Sequence, residues 1–122
     1  MVDVLRRAMV SLVRRDDPDL TARQLAIFLT CCLETEAQTV RGLARHLNVS
    51  KPAITRGLNR LSAFDLVRRR TDPLGRRSVL VQRTTNGAAF LRDISTILAD
   101  AARETDRPNS AEALGRSSAI AL

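Results

Sequence analysis

The 122-residue chain has no tryptophan, no tyrosine and only three phenylalanines, Phe28, Phe64 and Phe90. Proteins that hold single strands or looped RNA stack bases on aromatic rings. This chain has no ring to spare for that, because all three fall on apolar stripes. His46 is the only histidine, so neither a catalytic dyad nor a histidine-based metal site finds its partners. Cys31 and Cys32 are the only cysteines and are adjacent. On a helix they would point about 100° apart, too awkward for a mutual disulfide. No second pair exists to complete a zinc site. They read as buried structural thiols, with redox sensing as the alternative. Asp16, Asp17 and Asp19 lack the glycine and spaced glutamate of a calcium loop and read as a polar helix break. No glycine-rich phosphate cradle is present. No enzymatic activity and no cofactor are expected. No apolar run approaches the ~20 residues of a membrane span. Residues 1–7 lack the basic-then-apolar order of a secretory signal. The expected location is the cytoplasm.

What is abundant is arginine, and it is unevenly placed. The net charge is +7, yet residues 41–83 alone carry +9 and the remainder carries −2. A surface without a polyanionic partner has little reason to segregate charge in this way. Arginine rather than lysine supplies nearly all of it, which suits bidentate contact with phosphates and guanine edges. With the aromatic deficit, this points to duplex DNA.

Periodicity organises the chain as mainly helical with one small β-hairpin. Residues 3–15 form an amphipathic helix with Val4, Leu5, Ala8, Met9, Leu12 and Val13 on one stripe. Thr21-Ala22-Arg23-Gln24 fits a capping box, ahead of a helix burying Leu25, Phe28, Leu29 and Cys32. Thr39 caps a third helix with Val40, Leu43, Ala44 and Leu47 inward. Asn48-Val49-Ser50 makes a tight turn, Asn48 tolerating a left-handed backbone and Ser50 capping the next helix. Pro52 sits in that helix's first turn, where a missing N–H is harmless. Residues 66–70 and 78–82 read as two strands joined by an Asp-Pro and Gly loop. Thr84 or Thr85 starts a last helix with Phe90, Leu91, Ile94, Ile97, Leu98 and Ala101 on its stripe. Beyond about Thr105 periodicity is lost and a disordered tail is expected. The expected division is an N-terminal helix over 1–20, a DNA-binding domain over 21–84, a C-terminal helix over 85–104 and a tail over 105–122.

The sharpest feature is the helix over 51–63. At 100° per residue, Lys51, Thr55, Asn59, Arg56 and Arg60 share one half of its circumference. Ile54, Gly57, Leu58 and Leu61 share the other half. The apolar half packs on the preceding helix, where small Ala44 permits close approach, and the basic half is presented outward. A helix fits the major groove of duplex DNA. Arg and Asn read guanine and adenine edges there, and Thr can meet a thymine methyl. Thr55, Arg56 and Asn59 are therefore the expected base readers, and Ser50, Lys51 and Arg60 the expected phosphate contacts. The bland alternative is a solvated helix face. It explains the polarity but not the turn, the caps and the arginine hairpin together.

The stretch Thr39-Val40-Arg41-Gly42-Leu43-Ala44-Arg45-His46-Leu47-Asn48-Val49-Ser50-Lys51-Pro52-Ala53-Ile54-Thr55-Arg56 resembles the helix-turn-helix of the MarR family of bacterial transcription regulators. Leu61-Ser62-Ala63-Phe64-Asp65-Leu66-Val67-Arg68-Arg69 is similar to that family's passage into its first wing strand. Asp72-Pro73-Leu74-Gly75-Arg76-Arg77-Ser78-Val79, with Thr84-Thr85-Asn86-Gly87, is similar to its wing and the helix that follows. The resemblance implies a winged helix-turn-helix flanked by N- and C-terminal dimerisation helices. It further implies a homodimer on a pseudo-palindromic site in double-stranded DNA, acting as a repressor. Arg76 would enter the minor groove from the wing tip and Arg77 would brace the wing, with Arg70 on the wing strand also counted among the contacts. The alternative for Arg76 is contact with backbone phosphate alone. The family usually places an acid where this chain has Gly75, and its terminal helices are longer than the ~20 Å that 13 residues span. Many members respond to small aromatic ligands; no Tyr or Trp is available here to line such a pocket, and the effector is left open.

Two rival functions use the same residues. One is a protein-interaction module that keeps the winged helix but binds a partner regulator through its apolar first helix. The other is a nonspecific architectural DNA binder. Charge segregation argues against the first, and competitor DNA would expose the second.

Overall fold

The computed structural model describes residues 1–16, 18–75 and 78–106. The expected tail over 107–122 and the expected wing arginines Arg76 and Arg77 lie outside the described residues, as does Asp17. In chain order the elements are α1 (Val2–Arg14), α2 (Ala22–Leu33), β1 (Gln38–Thr39), α3 (Val40–Leu47), α4 (Lys51–Ala63), β2 (Val67–Thr71), β3 (Val79–Arg83) and α5 (Thr85–Thr105). They fall into two compact units, one of Met1–Asp19 with the chain from Arg92 onward, the other of Leu20–Leu91. The division passes through α5, whose first turns belong to the second unit.

In the first unit, α1 runs antiparallel to the later part of α5. Arg7 donates to Glu104 at 3.2 Å and Arg15 to Asp93 at 2.9 Å. Ala8 of α1 and Ile94 and Ala101 of α5 are buried, each at most 5% exposed. The α1 stripe is only partly covered within this unit. Val4 and Leu12 are half-buried, whereas Leu5, Met9 and Val13 are exposed, as is Leu98 on α5.

The second unit builds its core from Ile27 and Phe28 of α2, Leu43 of α3, Ile54, Leu58 and Leu61 of α4, and Leu66, Val67, Val81 and Phe90. Each such side chain contributes about 1.5–3 kcal/mol by leaving water. Phe28 and Phe90 meet with ring centroids 5.5 Å apart at a 52° tilt. Ile27 corrects the sequence expectation: it is fully buried, while Leu25, Leu29 and Cys32 are half-buried. Nearly every residue of α2 is apolar, so periodicity could not choose its face. A further close approach, to α2, was not read from the sequence. A Cβ on Gly57 of α4 would lie 2.6 Å from Ile27 Cδ1, so the missing side chain there lets α4 close on α2.

Capping follows the side chains as expected. Thr21 and Gln24 form a reciprocal capping box on α2. The Thr39 hydroxyl accepts from Gly42 N at 3.0 Å, and the Ser50 hydroxyl from Ala53 N at 3.3 Å. Asn48 adopts the left-handed conformation at φ 57° and ψ 47°, and Val49 N donates back to Ala44 O at 3.0 Å. These contacts set the turn between α3 and α4. A second left-handed residue, Asp65 at φ 57°, ends α4, with Leu66 N donating to Leu61 O at 2.9 Å. The strands begin one residue later than expected. They also gain a partner that periodicity did not indicate: two-residue β1 pairs with β3, giving an antiparallel sheet in the order β1-β3-β2.

Candidate nucleic-acid interface

The two halves of α4 separate as the helical period requires. Ile54, Gly57, Leu58 and Leu61 are all buried, with Ala53 beside them, and Lys51, Arg56, Asn59 and Arg60 are exposed. Thr55 is half-buried at the margin. Ser50 is exposed, but its oxygen is already engaged as the α4 cap, leaving its O–H free to donate. Arg60 lies over the Phe64 ring, 4.7 Å from its centroid, which restrains the guanidinium through its attraction to the ring face.

The hairpin joins this surface through a contact the sequence did not reveal. Arg69 Nη2 donates to Asn59 Oδ1 at 2.7 Å, tying β2 to the exposed side of α4. Successive strand residues point to opposite faces. Arg70, paired with Leu80 on β3, therefore lies on the face opposite to Arg69. The triplet Arg68-Arg69-Arg70 announced charge, but its register against α4 depends on long-range pairing. Arg23 was also missed. It lines an open groove of about 560 Å³ with Thr21, Gln24, Ala53, Arg56 and Gly57, so α2 and α4 each border that groove with an arginine. A signal for it did exist. A cation in the first turn of a helix opposes the helix dipole, which favours anions there.

The connection from β2 is organised by Asp72, which is only 5% exposed. Its Oδ1 accepts from Leu74 N at 2.9 Å, and its carbonyl from Gly75 N at 3.0 Å. Gly75 has φ +70°, a conformation that disfavours a side chain, and this explains glycine immediately before the arginine pair. At the other end of the hairpin, Leu66 O accepts from Thr84 N at 3.2 Å, and the Thr84 hydroxyl caps α5 by accepting from Gly87 N at 2.9 Å.

The thiols lie elsewhere in the same unit, along an open groove of about 500 Å³ with Glu34, Glu36 and Arg83. Burial pushes the Cys31 thiol up to about 12, reinforced by neighbouring Cys32. Burial also raises Cys32, with Arg83 pulling the other way. Both shifts run opposite to the lowered pKa that a redox-sensing thiolate requires. Among the described residues no group of three His, Cys, Asp or Glu is placed to hold a metal ion, and no helix is long and apolar enough to cross a membrane.

Comparison with known proteins places this geometry. The MarR family model matches residues 20–79. Among solved structures, a mutant MepR from S. aureus bound to an oligodeoxyribonucleotide aligns at 17% identity with a TM-score of 0.72, over 99% of this chain and 88% of that one. The transcriptional regulator BldR from Sulfolobus solfataricus aligns at 29% identity with a TM-score of 0.59, over 83% and 73%. A MarR-family transcriptional regulator from Rhodococcus sp. RHA1 aligns at 22% identity with a TM-score of 0.62, over 94% and 78%. No curated protein matches the chain. The five helices and small antiparallel sheet of the described residues, in this order, are the winged-helix fold of those regulators.

Proposed function

The chain belongs to the MarR family through residues 20–79, and from that premise we propose that it is a DNA-binding transcription regulator, not an enzyme, that represses as a homodimer. The observation that carries this reading is the two-sided α4: a fully buried apolar half and an exposed half bearing Lys51, Arg56, Asn59 and Arg60. Thr55, Arg56 and Asn59 face base edges in the major groove; Ser50, Lys51 and Arg60 hold phosphates, with Arg23 joining them from α2. Arg76 and Arg77 serve the flanking groove, where an arginine gains from the negative potential of a narrow A·T-rich stretch; Arg70, on the strand face opposite to Arg69, reaches at most the adjoining phosphates. The concentration of +9 in residues 41–83 supports this assignment, because counterion release from phosphates drives affinity. Working on DNA, the protein resides in the cytoplasm, with the nucleoid.

The dimer uses the exposed Leu5, Met9 and Val13 of α1 with Leu98 of α5. Two-fold symmetry then calls for half-sites about 34–36 Å apart, one helical turn of DNA. Occupancy of such an operator blocks polymerase. The test is a gel shift against genomic fragments with excess competitor duplex, repeated over a salt series, beside sedimentation of the free protein. Expected are a discrete retained fragment, affinity falling steeply with salt, a dimeric mass, and a monomeric mass for Leu5→Glu. A specificity ratio near one favours the architectural binder. A captured partner protein with no shifted DNA favours the interaction module, whose one supporting feature is the same apolar α1.

A further inference from the structure

The contact between Asn59 and Arg69 decides which base Asn59 can read, an inference that rests on the DNA-binding role proposed above. An asparagine amide carries one acceptor oxygen and an NH2 with two donors. Reading adenine bidentately uses both: the oxygen accepts from the N6 amino group while the NH2 donates to N7. In this protein the oxygen is engaged, because Arg69 Nη2 donates to Asn59 Oδ1 at 2.7 Å. A guanidinium has no acceptor. The atom it meets must therefore be the oxygen, and the NH2 must point away from Arg69. The second lone pair of that oxygen offers adenine little. An approaching N6 amino group would set its own N–H bonds against a cation whose outward bonds are also donors. Both side chains are exposed, so the pair stands open to a ligand.

We propose that Asn59 and Arg69 act as a single donor-only unit that selects guanine over adenine in the major groove, with Arg69 as the positioning residue. Guanine presents two adjacent acceptors there, N7 and O6, whereas adenine presents one acceptor beside a donor. Arg60, one residue along α4, is held over the Phe64 ring, and Asn59 is the exposed α4 side chain that bonds to β2. The role of Arg69 is thus to remove the option of adenine.

Selection from a random duplex pool tests this with the full-length protein and the variants Asn59→Ala, Arg69→Met and Arg69→Lys. Asn59→Ala identifies the dependent position as the one whose preference it flattens. That position is expected to be guanine for the unaltered protein, by about tenfold over adenine. Arg69→Met frees the amide to turn over and is expected to shift the same position toward adenine. Arg69→Lys keeps a donor for Oδ1 and is expected to retain guanine. Unchanged preference elsewhere in the motif reports that the variants are folded, and a purely structural role for Arg69 would not change one base alone. The proposal is overturned by adenine at the dependent position of the unaltered protein, or by an Arg69→Met motif identical to it. It is overturned equally if Asn59→Ala weakens every site alike, the signature of a phosphate contact. If the unaltered protein enriches no motif at all, the regulator role fails and takes this proposal with it; the other outcomes leave that role standing.

Discussion

Gly87→Ala probes how the hairpin is anchored to the start of α5. A Cβ at this position would sit 2.1 Å from Leu66 O and 3.1 Å from Leu66 C, with Phe28 Cε1 at 3.4 Å. Ordinary C···O contact begins near 3.3 Å, so the carbonyl must retreat by roughly 1 Å. A backbone atom has no rotamer through which to escape. Leu66 O also accepts from Thr84 N at 3.2 Å, and that bond is lost in the retreat. Overpacking of this kind costs about 1–3 kcal/mol, and the hydrogen bond about 1 kcal/mol more. Alanine returns about 0.5–1 kcal/mol through its better helix propensity. The expected net loss is about 2–3 kcal/mol. Urea unfolding followed by circular dichroism should show the midpoint lowered by roughly 1–2 M with an unchanged slope. Gly42→Ala is the control, since the Cβ would meet only the Thr39 hydroxyl at 3.1 Å; a change under about 1 kcal/mol is expected there. A Gly87→Ala midpoint at or above that of the unaltered protein would refute the steric argument.

Other consequences follow from the same geometry. With its thiol pushed up from 9.0 to about 12, native Cys31 should react with iodoacetamide about a thousandfold more slowly near pH 8 than the urea-unfolded chain. Peptide-resolved mass spectrometry reads the ratio, and equal rates contradict the burial. The unfolded thiol ionises first on raising the pH. The contribution of Cys31 to stability is therefore intact below about pH 9 and is lost as pH climbs toward 12. Ser50→Ala should cost about 1 kcal/mol in thermal melts, whereas Ser50→Asp, an equally good cap, should keep stability while its charge weakens binding to all DNA. Equal loss of stability in both variants contradicts the cap. Ile27→Ala should cost about 2–5 kcal/mol, more than Leu25→Ala, because Ile27 is fully buried and Leu25 is not.

Much of this fold is readable because its decisive signals are local. Thr21, Thr39 and Ser50 each cap the helix that follows them, Asn48 turns the chain by a conformation few residues tolerate, and the 3.6-residue period divides α4 into the halves observed. What escaped depends on residues far apart in the chain. Gln38 and Thr39 are a strand only because β3 offers them an edge. In α2 apolar residues surround the axis, so only Gly57 and Phe90, arriving from elsewhere, determine that Ile27 and Phe28 are innermost. The candidate surface divides in the same way. The exposure of Lys51, Arg56, Asn59 and Arg60 was legible from one helix, whereas the place of Arg23 on the groove and the Arg69–Asn59 contact arise from packing between elements.

The central claim is that the exposed side of α4 reads base edges with some residues and grips phosphates with others. The most direct measurement is the ratio of affinities for a selected operator and a random duplex at fixed salt, for Arg56→Ala and Lys51→Ala. The account predicts that Arg56→Ala erodes the ratio by about 1–3 kcal/mol, while Lys51→Ala weakens both duplexes alike and leaves the ratio intact. An Arg56→Ala protein that discriminates as well as the unaltered chain would contradict it.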